Sequence, residues 1–196
     1  MAFARNVLCR HAALAALCLS LWSAVSPAAD LSDDAPQVSV RRDGDLLIVD
    51  ARMTVAALPE AVWSVLTDFD HMTGFISNLD ASRVVAEDGQ TLRVEQKGTS
   101  RHGPFSIHFA SVKRYVLTPY TRITSSLISG TFKKFEGQMD LLPRETGTEL
   151  QYHGESIPEM WLPPLIGPAL VRSEIREQFG ELRTEILRRK RIAAAS

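Results

Sequence analysis

Residues 167–191 read GPALVRSEIREQFGELRTEILRRKR, and this stretch decides what the rest of the chain has to build. Val171, Ile175, Phe179, Leu182 and Ile186 recur at spacings of four, four, three and four, which gathers them on one face of an amphipathic helix. Arg172, Glu174, Arg176, Glu177, Glu181, Arg183 and Glu185 make the opposite face charged. The helix is expected to run to about Arg191. An apolar stripe of this length must be laid on a partner of comparable size.

That partner lies upstream, where the apolar period drops to two. Candidate strands are 81–87, 91–99, 105–117, 120–129, 133–142 and 148–156. They are separated by Asp88-Gly89, His102-Gly103-Pro104, Thr118-Pro119, Gly130 and Glu145-Thr146-Gly147. Spacers this short join antiparallel neighbours rather than βαβ units. Before them, Val38 and Val40 alternate with polar residues, Asp43-Gly44 is a hairpin signal, and Leu46–Val55 reads as a strand. Pro59 and Glu60 suit the first turn of a helix whose inner face is Val62, Trp63 and Leu66. Residues 68–78 (DFDHMTGFISN) make a broken helical stretch. The expected fold is therefore α+β: a curved antiparallel sheet of about seven strands with two short helices after the first, closed by the long C-terminal helix.

The first residues are expected to stand apart from this domain. Arg5 and Arg10 precede an uncharged apolar run, Ala12 to Val25, and small residues follow at Ser26, Ala28 and Ala29. This is the layout of a secretory leader. The organisation expected is a leader over 1–29, a lead-in over 30–44 and one domain over 45–196, secreted across an inner membrane into a periplasm. Cys9 and Cys18, the chain's two cysteines, both fall in the leader, so no disulfide or cysteine metal ligand is expected in the mature protein. Of 22 Lys+Arg and 23 Asp+Glu, only Arg5 and Arg10 are lost with the leader. A slightly acidic protein gives no general attraction for nucleic acid, whose binding rests on phosphate neutralisation.

Strand parity assigns an inner face. Phe105, Ile107, Phe109, Tyr115 and Leu117 share one side of 105–117, with Ser111 and Lys113 between them. The matching sides are Ile123, Ser125 and Leu127; Phe135, Gly137, Met139 and Leu141; and Leu150, Tyr152 and Gly154. A filled core would carry branched aliphatics there. Gly137 and Gly154 either mark bulges or leave room. If they leave room, the expected lining of a ligand cavity is Phe75, Phe109, Tyr115, Phe135, Met139, Tyr152, Trp161, Val171 and Ile175; the same aromatic residues would serve equally in a plain core.

Several stretches carry a family resemblance. Phe69-Asp70-His71-Met72-Thr73-Gly74-Phe75-Ile76 resembles the segment after the first helix in the START-like superfamily, with Met72-Thr73 where that family has Tyr-Pro. Gly130-Thr131-Phe132-Lys133-Lys134-Phe135-Glu136-Gly137 resembles its Gly-Pro-Phe-x-x-Leu-x-Gly strand, and Gly147-Thr148-Glu149-Leu150 with Tyr152 resembles the next. The likeness covers residues 45 to 190. It implies a helix-grip fold, like that of polyketide cyclases, lipid-transfer proteins and coenzyme Q-binding proteins, and a hydrophobic ligand between sheet and helix.

Other chemistry finds little support in the residues. His71, His102, His108 and His153 have no partner at ligand spacing, so no metal and no cofactor is expected. No phosphate loop and no nucleophile elbow are present in the sequence. Three functions stay open: a carrier of a lipid, quinone or polyketide-like molecule; a cyclase or dehydratase using Tyr115, Tyr152 and Lys113; or an interaction module with a closed interior. The apolar connector Pro158–Pro168 is expected either to cap the mouth or to touch a membrane surface transiently. Arg188-Arg189-Lys190-Arg191 either complements the helix dipole or attracts an anionic surface.

Overall fold

The structure, a computed structural model, describes residues 35–102, 105–160 and 166–195. The expected leader and Trp161 lie outside the described residues. The elements are β1 (Gln37–Asp43), β2 (Leu46–Val55), α1 (Pro59–Leu66), a 3-10 turn (Phe69–Gly74), β3 (Leu79–Asp88), β4 (Thr91–His102), β5 (Phe105–Thr118), β6 (Arg122–Gly130), β7 (Phe132–Arg144), β8 (Gly147–Pro158) and α2 (Gly167–Ala195). The order along the single sheet is β1-β2-β8-β7-β6-β5-β4-β3. All its pairings are antiparallel.

That order explains the two short helical pieces. After β2 the chain must reach the opposite edge of the sheet, and α1 with the 3-10 turn carries it there. The meander β3 to β8 then returns strand by strand until β8 pairs with β2, Met53 opposite Leu150. The turns are those the dipeptides indicated: Asp43 faces Leu46 across Gly44-Asp45, and Asp88 faces Thr91 across Gly89-Gln90. Gly44 and Gly89 both sit at φ +58°, the left-handed region that two-residue hairpins require.

Two expectations are revised. The sheet has eight strands rather than about seven, because Gln37–Asp43, within the expected lead-in, pairs along its whole length with β2. The long helix continues to Ala195, past Arg191, since alanines extend a helix at little entropic cost.

Helix α2 also uses more than its apolar stripe. Glu185 is buried and holds Arg188 and Arg189. Glu181 accepts from the Ser77 amide at 3.2 Å, and Glu174 accepts from Asn78 Nδ2 and Ser100 Oγ. The charged side therefore does not simply face water: the segment after the 3-10 turn and the end of β4 close over it. The basic run is largely consumed in the same way. Arg188 and Arg189 pair with Glu185, Arg189 also reaches Asp68 at 2.7 Å, and Lys190 donates to the Ala56 carbonyl. None of the four cations lies in the helix's last turn.

Candidate functional site

The inner face of the sheet is filled at one end and only lined at the other. At the filled end Val55, Val62, Val65, Leu150 and Ile186 are completely buried, with Leu141 and Phe179 beside them. A second packed group, Phe69, Met72, Ile76, Leu92 and Val94, lies under the 3-10 turn. Along the middle of β5 to β8 the inward positions change character. Phe109, Lys113, Tyr115, Leu127, Phe135, Met139 and Tyr152 all retain accessible surface.

The ionisable members of this set show that the surface they keep is not ordinary exterior. Burial pushes the Lys113 ammonium down to about 8. Burial raises the Tyr152 phenol to about 12, and burial together with the neighbouring Tyr152 raises that of Tyr115. These half-buried groups, packed on one side against the core, line a recess of the sheet's inner face, a shallow hollow.

The polar furniture of this hollow is specific. Lys113 Nζ sits 3.8 Å from the centroid of the Phe135 ring, a cation–π contact. Tyr115 packs on Phe69 with ring centroids 4.6 Å apart, and its hydroxyl points toward Gln96 Oε1 at 3.5 Å, the outer limit of a hydrogen bond. Ser125 stands opposite Tyr115 on one side and opposite Gly137 on the other. Among the described residues neither Lys113 Nζ nor the Tyr152 hydroxyl has a hydrogen-bond or ion-pair partner.

Gly137 and Gly154 face each other on β7 and β8 with no register shift at either, so neither marks a bulge. Nor do they leave simple empty space. The Tyr152 ring folds along its own strand over Gly154, and a Cβ there would lie 2.7 Å from Tyr152 Cζ and 2.8 Å from Cε1. At Gly137 a Cβ would lie 3.1 Å from the same hydroxyl and 2.8 Å from Ser125 Oγ. The two glycines are a seat for the tyrosine, which swings its hydroxyl inward. Gly154→Ala is accordingly expected to cost about 1–2 kcal/mol by forcing the ring off its seat. In a Tyr152→Leu background the same substitution should cost much less. Urea denaturation of the four variants measures this coupling.

The remaining expected residues distribute as follows. Phe109 lies across Gly98, its strand partner. Met139 is opposite Tyr152, and Val171 and Ile175 are half-buried on α2. Phe75 packs against both buried groups and lies 5.4 Å beneath the Arg189 guanidinium, so it serves the junction of turn and helix. Sequence reasoning passed over Gln96, although β4 parity would have placed it: it pairs with Ser111 and donates to Ser82 Oγ at 3.3 Å. His71, His108 and His153 bond to Asp68, Thr99 and Asp50. An open depression of about 560 Å³ over β1, β2 and β8 is lined by a mixture of polar and apolar residues, among them Gln37, Val38, Asp50, Arg52, Tyr152 and His153. Among the described residues no helix is long and apolar enough to cross a membrane.

Architecture and interior together define a helix-grip domain, a sheet wrapped on a long helix with an amphipathic interior between them. The family model described as polyketide cyclase / dehydrase and lipid transport matches residues 55–178, and the chain belongs to that START-like family. Among solved structures it resembles the Zhui aromatase/cyclase from a Streptomyces species at 16% identity and TM-score 0.64, covering 76% of this chain and 98% of that one. It resembles the STAR-related lipid transfer protein from Xanthomonas axonopodis at 14% identity and TM-score 0.66, covering 78% and 94%. A START superfamily protein from Mycobacterium smegmatis aligns at 14% identity and TM-score 0.61, over 72% and 97%. At these identities the likeness is one of fold. A search of curated proteins gives no match.

Proposed function

We propose that this protein is a periplasmic carrier that holds a hydrophobic small molecule, a lipid, quinone or polyketide-like compound, between its sheet and α2. The observation that carries this reading is the inner face of β5–β8, where Lys113, Tyr115, Leu127, Phe135, Met139 and Tyr152 stay half-buried in mid-sheet instead of being packed solid. Each buried methylene of a guest contributes about 0.8 kcal/mol, so a chain of eight carbons supplies roughly 6 kcal/mol. The family's lipid-transport members support the same use.

Native mass spectrometry of protein taken from its own periplasm tests the proposal: a co-purifying apolar molecule is expected. Filling the hollow supplies a second test. Leu127 keeps accessible surface in mid-face, so Leu127→Trp is expected to weaken guest binding at least tenfold while shifting the melting temperature by only a few degrees. Unchanged binding would place the guest elsewhere.

A cyclase or dehydratase is the second reading, favoured by one observation. Lys113, with its pKa drawn down to about 8, shares the inner face with two phenols held neutral, a pairing able to exchange a proton with a carbonyl substrate. Retained turnover in Tyr152→Phe would remove that phenol from the mechanism.

A further inference from the structure

We propose that Lys113 is the head-group site of the hollow, and that the guest is an amphiphile whose polar end is a carboxylate. This rests on the carrier reading and names the chemistry of what is carried.

Lys113 lies in mid-strand on β5, opposite Val94 of β4 and Leu127 of β6, with the Phe135 ring beneath it. The residues facing it across the strands are apolar, and placing an ammonium among them is costly unless something compensates it. A ring face supplies part of that compensation. The usual partner is a carboxylate, and on the inward positions of β4 to β8 there is none among the described residues: the polar groups there include Gln96, Ser100, Ser111, Tyr115, Ser125, Tyr152 and Ser156, all of them neutral. The acids that α2 brings to this side are engaged elsewhere. Glu174 binds Asn78 and Ser100, and Glu181 binds the Ser77 amide.

Among the described residues the inward positions of β4 to β8 thus offer one lysine and several neutral donors, and the one carboxylate shown reaching that face, Glu174, is held at Ser100 and Asn78. Lys113 has no hydrogen-bond or ion-pair partner among the described residues, and the Tyr152 hydroxyl is turned inward by its glycine seat with its donor unused. An ammonium on β5, with a phenol from β8 that reaches over Gly137 of β7 to the side of Ser125 on β6, suits an anionic oxygen pair, since charge-assisted bonds gain most where the surroundings are dry. The leucines and aromatics around it suit the attached chain. At neutral pH a lysine with a pKa of about 8 is still mainly protonated, and an arriving carboxylate would hold it so.

The test compares dodecanoate with methyl dodecanoate, equal in chain and different in charge, by calorimetric titration of the intact mature protein at pH 7. The wild type is expected to bind the acid at least tenfold more tightly than the ester. Lys113→Met, close in length and uncharged, should abolish that preference while leaving ester affinity within about threefold; Lys113→Gln serves as a second variant. Equal affinity of wild type for acid and ester would overturn the head-group assignment and leave the carrier reading standing. So would a preference that survives both substitutions. Failure of the wild type to bind either compound would overturn both.

Discussion

Leu150→Ala is expected to destabilise the domain by about 3 kcal/mol, within the range for large-to-small changes in a closed core. Leu150 is completely buried on β8, in register between Met53 on β2 and Leu141 on β7, and belongs to the buried group that includes Ile186 of α2. The neighbours are held by two strands and a helix and cannot collapse into the vacated volume. The cost therefore includes a cavity as well as the lost transfer of apolar surface. Leu127→Ala offers the contrast. That side chain already borders accessible space, so its truncation creates no new void and should cost about 1 kcal/mol or less. Urea denaturation should show the midpoint falling sharply for the first variant and little for the second, with unchanged slopes. Equal losses at the two positions would mean that the interior is uniformly packed, and the distinction between filled and lined ends would fail.

Glu185→Gln is expected to cost about 2 kcal/mol at neutral pH, and the loss should fade in acid. Glu185 is 7% exposed and takes bonds from Arg188 Nε at 2.7 Å and Arg189 Nε at 2.6 Å. Hydrogen bonding from Arg188 draws its carboxyl down to about 2; burial opposes this, and Arg189 adds to the lowering. The folded pKa lies below the unfolded value of about 4.3. The stabilisation is therefore complete above the unfolded pKa and is lost as pH falls toward about 2. A two-unit depression corresponds to about 3 kcal/mol before discounting. Arg188 is half exposed, so solvent screening reduces the figure to about 2 kcal/mol. Removing one partner also leaves the arginines without their shared acceptor. Wild type and variant should converge in stability between pH 4 and pH 2; a constant difference over that interval would show that the carboxylate's charge is not what holds α2 to the Asp68 turn.

Much of the molecule was legible in advance because its local signals agree. The stripe from Val171 to Ile186, the dipeptides Asp43-Gly44 and Asp88-Gly89, and Pro59 at a helix start each act over a few residues. Their outcome depends little on distant parts of the chain. The family resemblance pointed the same way, and the two together led to α+β and the helix grip. β1 was harder to count as part of the sheet, since seven residues with two inward valines carry a weak periodic signal, and their pairing with β2 is what makes them a strand.

The candidate site was legible only as a list of inward residues. Period-two alternation says that Lys113, Tyr115 and Tyr152 share a side. It cannot say that Lys113 rests on Phe135 two strands away, nor that Gly137 and Gly154 together form a seat for Tyr152. Those relations depend on register across β5 to β8, which is set by the whole meander closing on β2. The charged face of α2 shows the same limit. Its glutamates read as a solvated surface, yet Glu174 and Glu181 fasten the helix to Ser100 and Ser77, and Glu185 holds Arg189, which reaches across to Asp68.

The amino-acid order by itself determined the element types, their succession and which side of each strand turns inward, because these follow from spacing and turn chemistry within short windows. Tertiary structure alone decided where the interior is filled and where it stays open. That outcome depends on which side chains meet across strands and under the helix, distances that no local pattern contains.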